Sequence, residues 1–197
     1  MSGPETIADR YHRRATTFAD VIAAAPPNRW SSPSPCEEWT AADVLQHVLD
    51  MQSAVLTPLG LALSPAPTVD TDPRGAFDHA RADIQRALAD PAVSETTVQT
   101  PMGPSTFADH VDQVASADLV VHGWDLARAL GLEHQIDPAE VEAAWPGVQE
   151  MPDIMRVPGA FGPGIVVFGP IVDVPDTAPL HERFLGLLGR DPYWKAP

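Results

Sequence analysis

The chain has little positive charge, one cysteine and no long hydrophobic run, and each scarcity excludes something. There are 12 Lys and Arg against 27 Asp and Glu, a net charge of −15, and Lys195 is the sole lysine. A field of that sign repels phosphate backbones and anionic lipid heads, so neither nucleic acid nor a membrane surface is expected as a partner. The single cysteine, Cys36, rules out an internal disulfide and fits a reducing compartment. The N-terminal stretch MSGPETIADRYHRR has no apolar core of the kind a signal peptide carries. No apolar run approaches the 18 or so residues of a membrane span. A cytoplasmic protein is expected, monomer or homodimer.

What is present is globular and helical. The chain is 197 residues long, 44% apolar and 20% charged, enough for one well-buried domain with an appended tail. Tyr11, Phe18, Val21 and Ile22 recur at helical spacing and predict a helix over about 5–25, ended by Pro26 and Pro27. The loop PPNRWSSPSPCEEW follows. A second helix is predicted from Thr40, where Thr40 and Asp43 stand at capping-box spacing. A third runs over about 75–89. The stretch VSETTVQTPMGPS reads as a short hairpin or extended loop, turning at Met102, Gly103 and Pro104. A fourth helix runs from Ser105 or Thr106 to Leu130, with a bend or break near Ser116 and Gly131 as its stop.

Beyond it, Asp137-Pro138-Ala139-Glu140 marks a short helix expected to end near Trp145-Pro146. A Gly- and Pro-rich strap with two β-type apolar runs precedes a last helix over about 180–188. The expected architecture is an all-α four-helix bundle over 1–135, with a loop-rich C-terminal extension and short accessory helices over 136–197 packed on it.

Asp118 and His122 are four residues apart and share one face of the fourth helix, in a row with Val111, Val114, Val121 and Asp125. An unpaired buried carboxylate is costly, so Asp118 needs a partner. His47, at the edge of the apolar face of the second helix, is the natural third member. Two imidazoles and a carboxylate suit zinc first, or nickel, iron or manganese, and three protein ligands leave positions open for water or substrate. The same spacing also describes an ordinary helix-surface pair. Trp39 and Trp124 fit either a cleft wall or core anchors. Asp125 fits a pair with Arg128, or a partner that orients a histidine ligand. Cys36 lies in the loop before the second helix, and His110 is the only candidate for a fourth ligand.

The segments RWSSPSPCEEWTAADVLQHV and ADLVVHGWDLARALG resemble the two signatures of the mycothiol-dependent maleylpyruvate isomerase family, of DinB-like fold. The tail GAFGPGIVVFGP…RFLGLLGRDP is similar to that of its single-domain actinobacterial metal-binding branch. The resemblance implies one ligand at the histidine of W-T-x-x-D-x-x-x-H, here Trp39, Thr40, Asp43 and His47. It implies the other two at Asp118 and His122. The isomerase proper has Glu where this chain has Asp118, which bears on metal identity. The isomerases also carry a further C-terminal domain supplying a basic residue. The tail here resembles a loop and a helix instead, so maleylpyruvate isomerisation itself is not carried over. The implied function is a divalent-metal-dependent transferase or isomerase that uses a low-molecular-weight thiol, mycothiol by resemblance, on a small electrophile. A non-catalytic metal- or small-ligand-binding module is the alternative. A metal-assisted hydrolase with Asp125 as base comes third.

Overall fold

The structure, a computed structural model, describes residues 5–101, 103–160 and 166–196. It divides into two compact units, Met1–Glu133 and His134–Pro197. In the first, α1 (Ile7–Ala23), α2 (Ala41–Leu56), α3 (Pro73–Ala89) and the continuous stretch α5 (Phe107–Val111) to α6 (Ala117–Leu130) form a four-helix bundle. Helix α1 packs on α3 and α6, and α2 packs on the same two, so the helices close a ring around one core. The fold is all-α, as the resemblance implies. A short α4 (Pro91–Ser94) follows α3. The Asp90-Pro91 pair that stops α3 also starts α4, since Asp90 accepts from the Ala92 amide and Pro sits at the first helical position.

Three of the bundle helices begin on the same local device. Thr6, Thr40 and Thr106 each accept from the amide of an aspartate three residues on, Asp9, Asp43 and Asp109. For Thr6 and Thr40 the aspartate also accepts from the threonine's own amide, closing a full capping box with Asp where Glu or Gln is usual. The hairpin is real: β1 (Thr97–Thr100) pairs antiparallel with β2 (Gly103–Thr106), with Val98 opposite Ser105. The expected turn residue Met102 lies outside the described residues.

The core is built from Tyr11, Phe18, Val44, Leu45, Val48, Phe77, Ile84, Phe107, Leu126 and Leu130, all buried. The Phe18 and Phe77 rings sit 4.8 Å apart in a tilted pair. One polar bond crosses it, from the Tyr11 hydroxyl to Oε1 of the buried Gln52, 2.7 Å.

The bend expected near Ser116 is a wide π-type turn over Asp112–Ser116, between α5 and α6. Such a turn holds one extra residue, so it shifts the faces on its two sides out of step. The buried stripe therefore runs through Val111, Ala115, Leu119 and Leu126, while Val114 and Val121, expected in it, are only half-buried. Helix α1 grips this turn. Arg10 donates to both carboxylate oxygens of Asp112, at 2.9 and 2.8 Å, and Arg14 donates to Oγ of the fully buried Ser116 at 3.0 Å.

The second unit holds α7 (Pro138–Gln149), a 3-10 turn at Asp153–Arg156 and α8 (Leu180–Leu187). Asp137 caps α7 as expected. The helix does not stop at Trp145-Pro146, however; it runs on to Gln149 with Pro146 inside it. Proline's fixed φ is itself helical, so its cost is one missing hydrogen bond and a crowded carbonyl, which a short helix survives. The first β-type run, GIVVF, falls partly on residues 161–165, outside those described. Neither it nor IVDV forms a strand among the described residues; Val172 instead donates to the carbonyl of Gly186 in α8, 3.0 Å. No helix among the described residues is long and apolar enough to cross a membrane.

Candidate functional site

The cap at Thr40 sets the start of α2 and so the direction in which His47, two turns on, leaves the helix. Asp118 and His122 stand one turn apart on α6, just past the wide turn. The two helices pack together, and the three side chains meet. Nε2 of His47 lies 3.6 Å from Oδ2 of Asp118, and Nε2 of His122 lies 3.3 Å from Oδ1. The two imidazoles face each other edge-on with centroids 4.8 Å apart. His122 is buried, and His47 and Asp118 are half-buried.

Trp39, immediately before the cap, closes one side. Its ring lies 4.9 Å from that of His47 and is stacked 6.0 Å from that of His122. The loop that carries it is tightly pinned despite its lack of regular structure. The Trp39 amide donates to the Cys36 carbonyl, the Ser34 amide to the Trp39 carbonyl, and the Ala41 amide to the Ser32 carbonyl. Within this turn Glu38 has φ +65°, the one non-glycine residue in the left-handed region among those described.

A second layer lies behind His122. Its Nδ1 is 2.9 Å from Oδ2 of Asp125, a residue with no exposed surface, and the Cys36 thiol donates to the same oxygen at 3.3 Å. So Asp125 faces the histidine, as the orienting reading expected, while Arg128 lies over the Trp124 ring at 5.4 Å. Trp124 is a buried anchor, and Trp39 is the tryptophan that lies against both histidines. Completely enclosed, Asp125 has no face to offer a water molecule, which weighs against its service as a hydrolytic base. His110 joins no ligand group among the described residues.

The electrostatics follow from this enclosure. Burial pushes the Asp118 carboxyl up, but the His122 charge and the polar contacts of His122 and His47 outweigh it and hold the acid well below the usual range. Burial likewise pushes His122 down, yet the Asp118 charge, with polar contacts to Asp118, Asp125 and Cys36, raises it well above 6.5.

Do these residues fit a metal ion? A donor atom from each of His47, Asp118 and His122 lies within 4.8 Å of the other two. An ion holding ligands at roughly 2.0–2.2 Å wants neighbouring donors about 3–3.5 Å apart, close to what is found. Oδ2 of Asp118 is buried and accepts no hydrogen bond among the described residues. That is the kind of orphaned acceptor a cation would satisfy. The donor set and the spare acceptor fit.

Residues 11–74 match the mycothiol maleylpyruvate isomerase N-terminal domain. The resemblance read from the first signature is thereby shown, over a segment that takes in most of α1, the Cys36–Trp39 loop and α2 with His47. Two proteins of Mycobacterium tuberculosis, from strains CDC 1551 and H37Rv and each described as uncharacterized, are 28% identical to it over 128 residues. That is 64% of this chain and 69% of each relative. No solved structure matches.

The sequence pointed to His47, Asp118 and His122, and the structure brings them together. Two neighbours were less legible. Cys36 was read only as near the site, and Trp39 was left between core and cleft. Cys36 and Asp125 are 89 positions apart, and no local spacing signals a contact of that span.

Proposed function

We propose that this protein binds one divalent metal ion through His47, Asp118 and His122 and uses it with a low-molecular-weight thiol, in a transferase or isomerase reaction on a small electrophile. The observation that carries the reading is a carboxylate set between two imidazoles from separate helices, one of its oxygens buried and accepting no hydrogen bond among the described residues. The match to the mycothiol maleylpyruvate isomerase N-terminal domain supports mycothiol as the thiol.

A free thiol has a pKa near about 8.5 and is mostly protonated at neutral pH. A bound divalent ion supplies the positive charge that stabilises a thiolate and polarises a substrate oxygen. The chain's own residues do the rest. Asp118 offers one negative charge and two acceptors. Trp39 packs its ring beside both histidines, holding their planes and covering them from water. The carboxylate of Asp125, fixed by the Cys36 thiol, lies against Nδ1 of His122 and holds that ring electrostatically with Nε2 turned to Asp118. Zinc suits the donor set best, with nickel, iron and manganese next.

The test has two arms. Metal analysis of the purified protein beside a His122→Ala variant should give close to one ion per chain for the first and a strong loss for the second. Metal-loaded protein incubated with mycothiol and a panel of electrophiles should form conjugate, or isomerised product, above the uncatalysed rate. If the ion is bound but no panel member reacts with any of several metals, the site is a binding module and the catalytic half of the proposal fails.

A further inference from the structure

The side of His122 turned away from His47 carries its own cluster. A donor atom from each of Cys36, Asp125 and His122 lies within 4.8 Å of the other two. Sγ of Cys36 and Nδ1 of His122 approach the same carboxylate oxygen, at 3.3 and 2.9 Å. Asp125 has no exposed surface and His122 is also buried, whereas Cys36 is only partly covered and gives the cluster a way in. The 2.9 Å approach of Nδ1 is close but poorly aligned for a hydrogen bond, so this buried nitrogen makes none among the described residues. Two of the three side chains are thus enclosed, and Nδ1, which makes no hydrogen bond among the described residues, faces the shared oxygen as an ion pair when the ring is protonated.

The geometry points to a second cation site, formed by the Cys36 thiolate, the Asp125 carboxylate and Nδ1 of His122, that takes a soft, thiophilic divalent ion. The donor types carry the selectivity. Thiolate and imidazole favour soft and borderline ions over magnesium or calcium, whereas the His47–Asp118–His122 group has no sulfur. The spacing is right as well. An ion at about 2.3 Å from sulfur and about 2.0–2.2 Å from nitrogen and oxygen sets its donors roughly 3–3.5 Å apart, near the separations already present. Binding is balanced by proton release: the thiol proton and the proton on Nδ1 of His122 both leave to solvent, and the sulfur–carboxylate hydrogen bond gives way to metal bonds from sulfur, oxygen and nitrogen. His122 offers Nδ1 here and Nε2 to the other group; one ion at a time needs the neutral ring, and both together need the imidazolate, with a further proton released to solvent. This second site does not require the first to be occupied.

The probe is cadmium ion, titrated into the metal-free full chain and followed by the ultraviolet absorption of the thiolate–metal bond. Cys36 is the only cysteine, so the band reports on it alone. The expected result is a band that saturates at one ion per chain in His47→Ala, whose first group is disabled, and by two in the wild type, with the chain's size unchanged on gel filtration and the band resistant to an excess of a small monothiol. Asp125→Asn and His122→Ala each weaken binding by at least about tenfold. His47→Ala leaves the band and its affinity unchanged even as it removes metal from the first group, which separates this inference from the proposed function. Four results would overturn it: no band in the wild-type chain; saturation at half an ion per chain with doubled size, meaning two thiols share the ion; loss of the band in His47→Ala; or an Asp125→Asn variant that binds as tightly as wild type. The wild-type titration and the His47→Ala arm stand even if the Asp125 variant fails to fold.

Discussion

At the scale of single residues, Asp118 and His122 make a pair whose charge state depends on pH and on the ion. In the metal-free protein Asp118 is held below its ordinary 3.8, so its contribution to stability is present above that value and is lost as pH falls through the lowered folded-state value. His122 is raised above its ordinary 6.5, so its contribution is present below 6.5 and is lost as pH climbs toward the raised value. The pair therefore stabilises most between about 4 and 6.5, and the chelated protein should lose melting temperature from there upward. Asp118→Asn should flatten that alkaline slope. Melting curves of both proteins with a chelator present decide it, and equal slopes would refute the coupling. Metal loading should run the other way and tighten as pH rises, because a ligating imidazole must be neutral. A second residue-scale prediction concerns Glu38 at φ +65°. Left-handed backbone costs a residue with a Cβ roughly 1 kcal/mol, a strain glycine does not feel. Glu38→Gly should hold or slightly raise the melting temperature, while the β-branched Glu38→Val lowers it. The proposed ligand residues are legible at this scale because two of them share a helix and the third sits in the first signature. The Cys36–Asp125 contact was not, because it joins a loop to a helix across the bundle.

At the scale of elements, helix ends read well from sequence because they are decided locally. A threonine with an aspartate three residues on opens α1, α2 and α5, and Gly131, at φ +74°, closes α6. The misses have physical causes of their own. Pro146 was read as a terminator, yet a proline past the first turn removes only one bond. The sequence signals a break at Asp112–Ser116 but not an added residue, and the contacts that grip the turn come from another helix, from Arg10 and Arg14. That clamp gives a prediction. Asp112→Ala removes a bidentate, half-buried ion pair and should cost about 1–2 kcal/mol, a fall of a few degrees for a chain of this length. Metal affinity should fall with it if the clamp sets the direction of Asp118. An Arg10→Met variant with unchanged melting temperature and unchanged metal binding would show that the turn holds itself.

At the scale of the whole molecule, a net charge of −15 surrounds a site proposed to attract a cation. Such a field raises the local concentration of divalent ions and is screened by salt, so metal affinity should drop steadily as ionic strength rises. Calorimetric titration at several salt concentrations measures that slope, and a flat response would leave the near ligands as the whole source of affinity. Chelation supplies the companion measurement. Removing the ion should lower stability by the binding term alone, about 2.7 kcal/mol where free ion stood at a hundred times its dissociation constant, and the melting temperature with it. His122→Ala should be insensitive to chelator. Composition set the sign of this field without any coordinates, whereas which side chains sit inside it required the bundle. The extra residue in the wide turn has a larger consequence. A helix advances about 100° per residue, so a one-residue deletion between Asp112 and Ser116 would rotate everything after it by more than a quarter circle. Nearly the same amino acids would remain, and the chain would still be rich in apolar helix. Yet Asp118, His122 and Asp125 would swing away from His47 and Cys36 together, both ligand groups lost in one step. The proposed chemistry is thus keyed to a single count along one helix, and a relative lacking that count would keep the bundle's composition without this cluster.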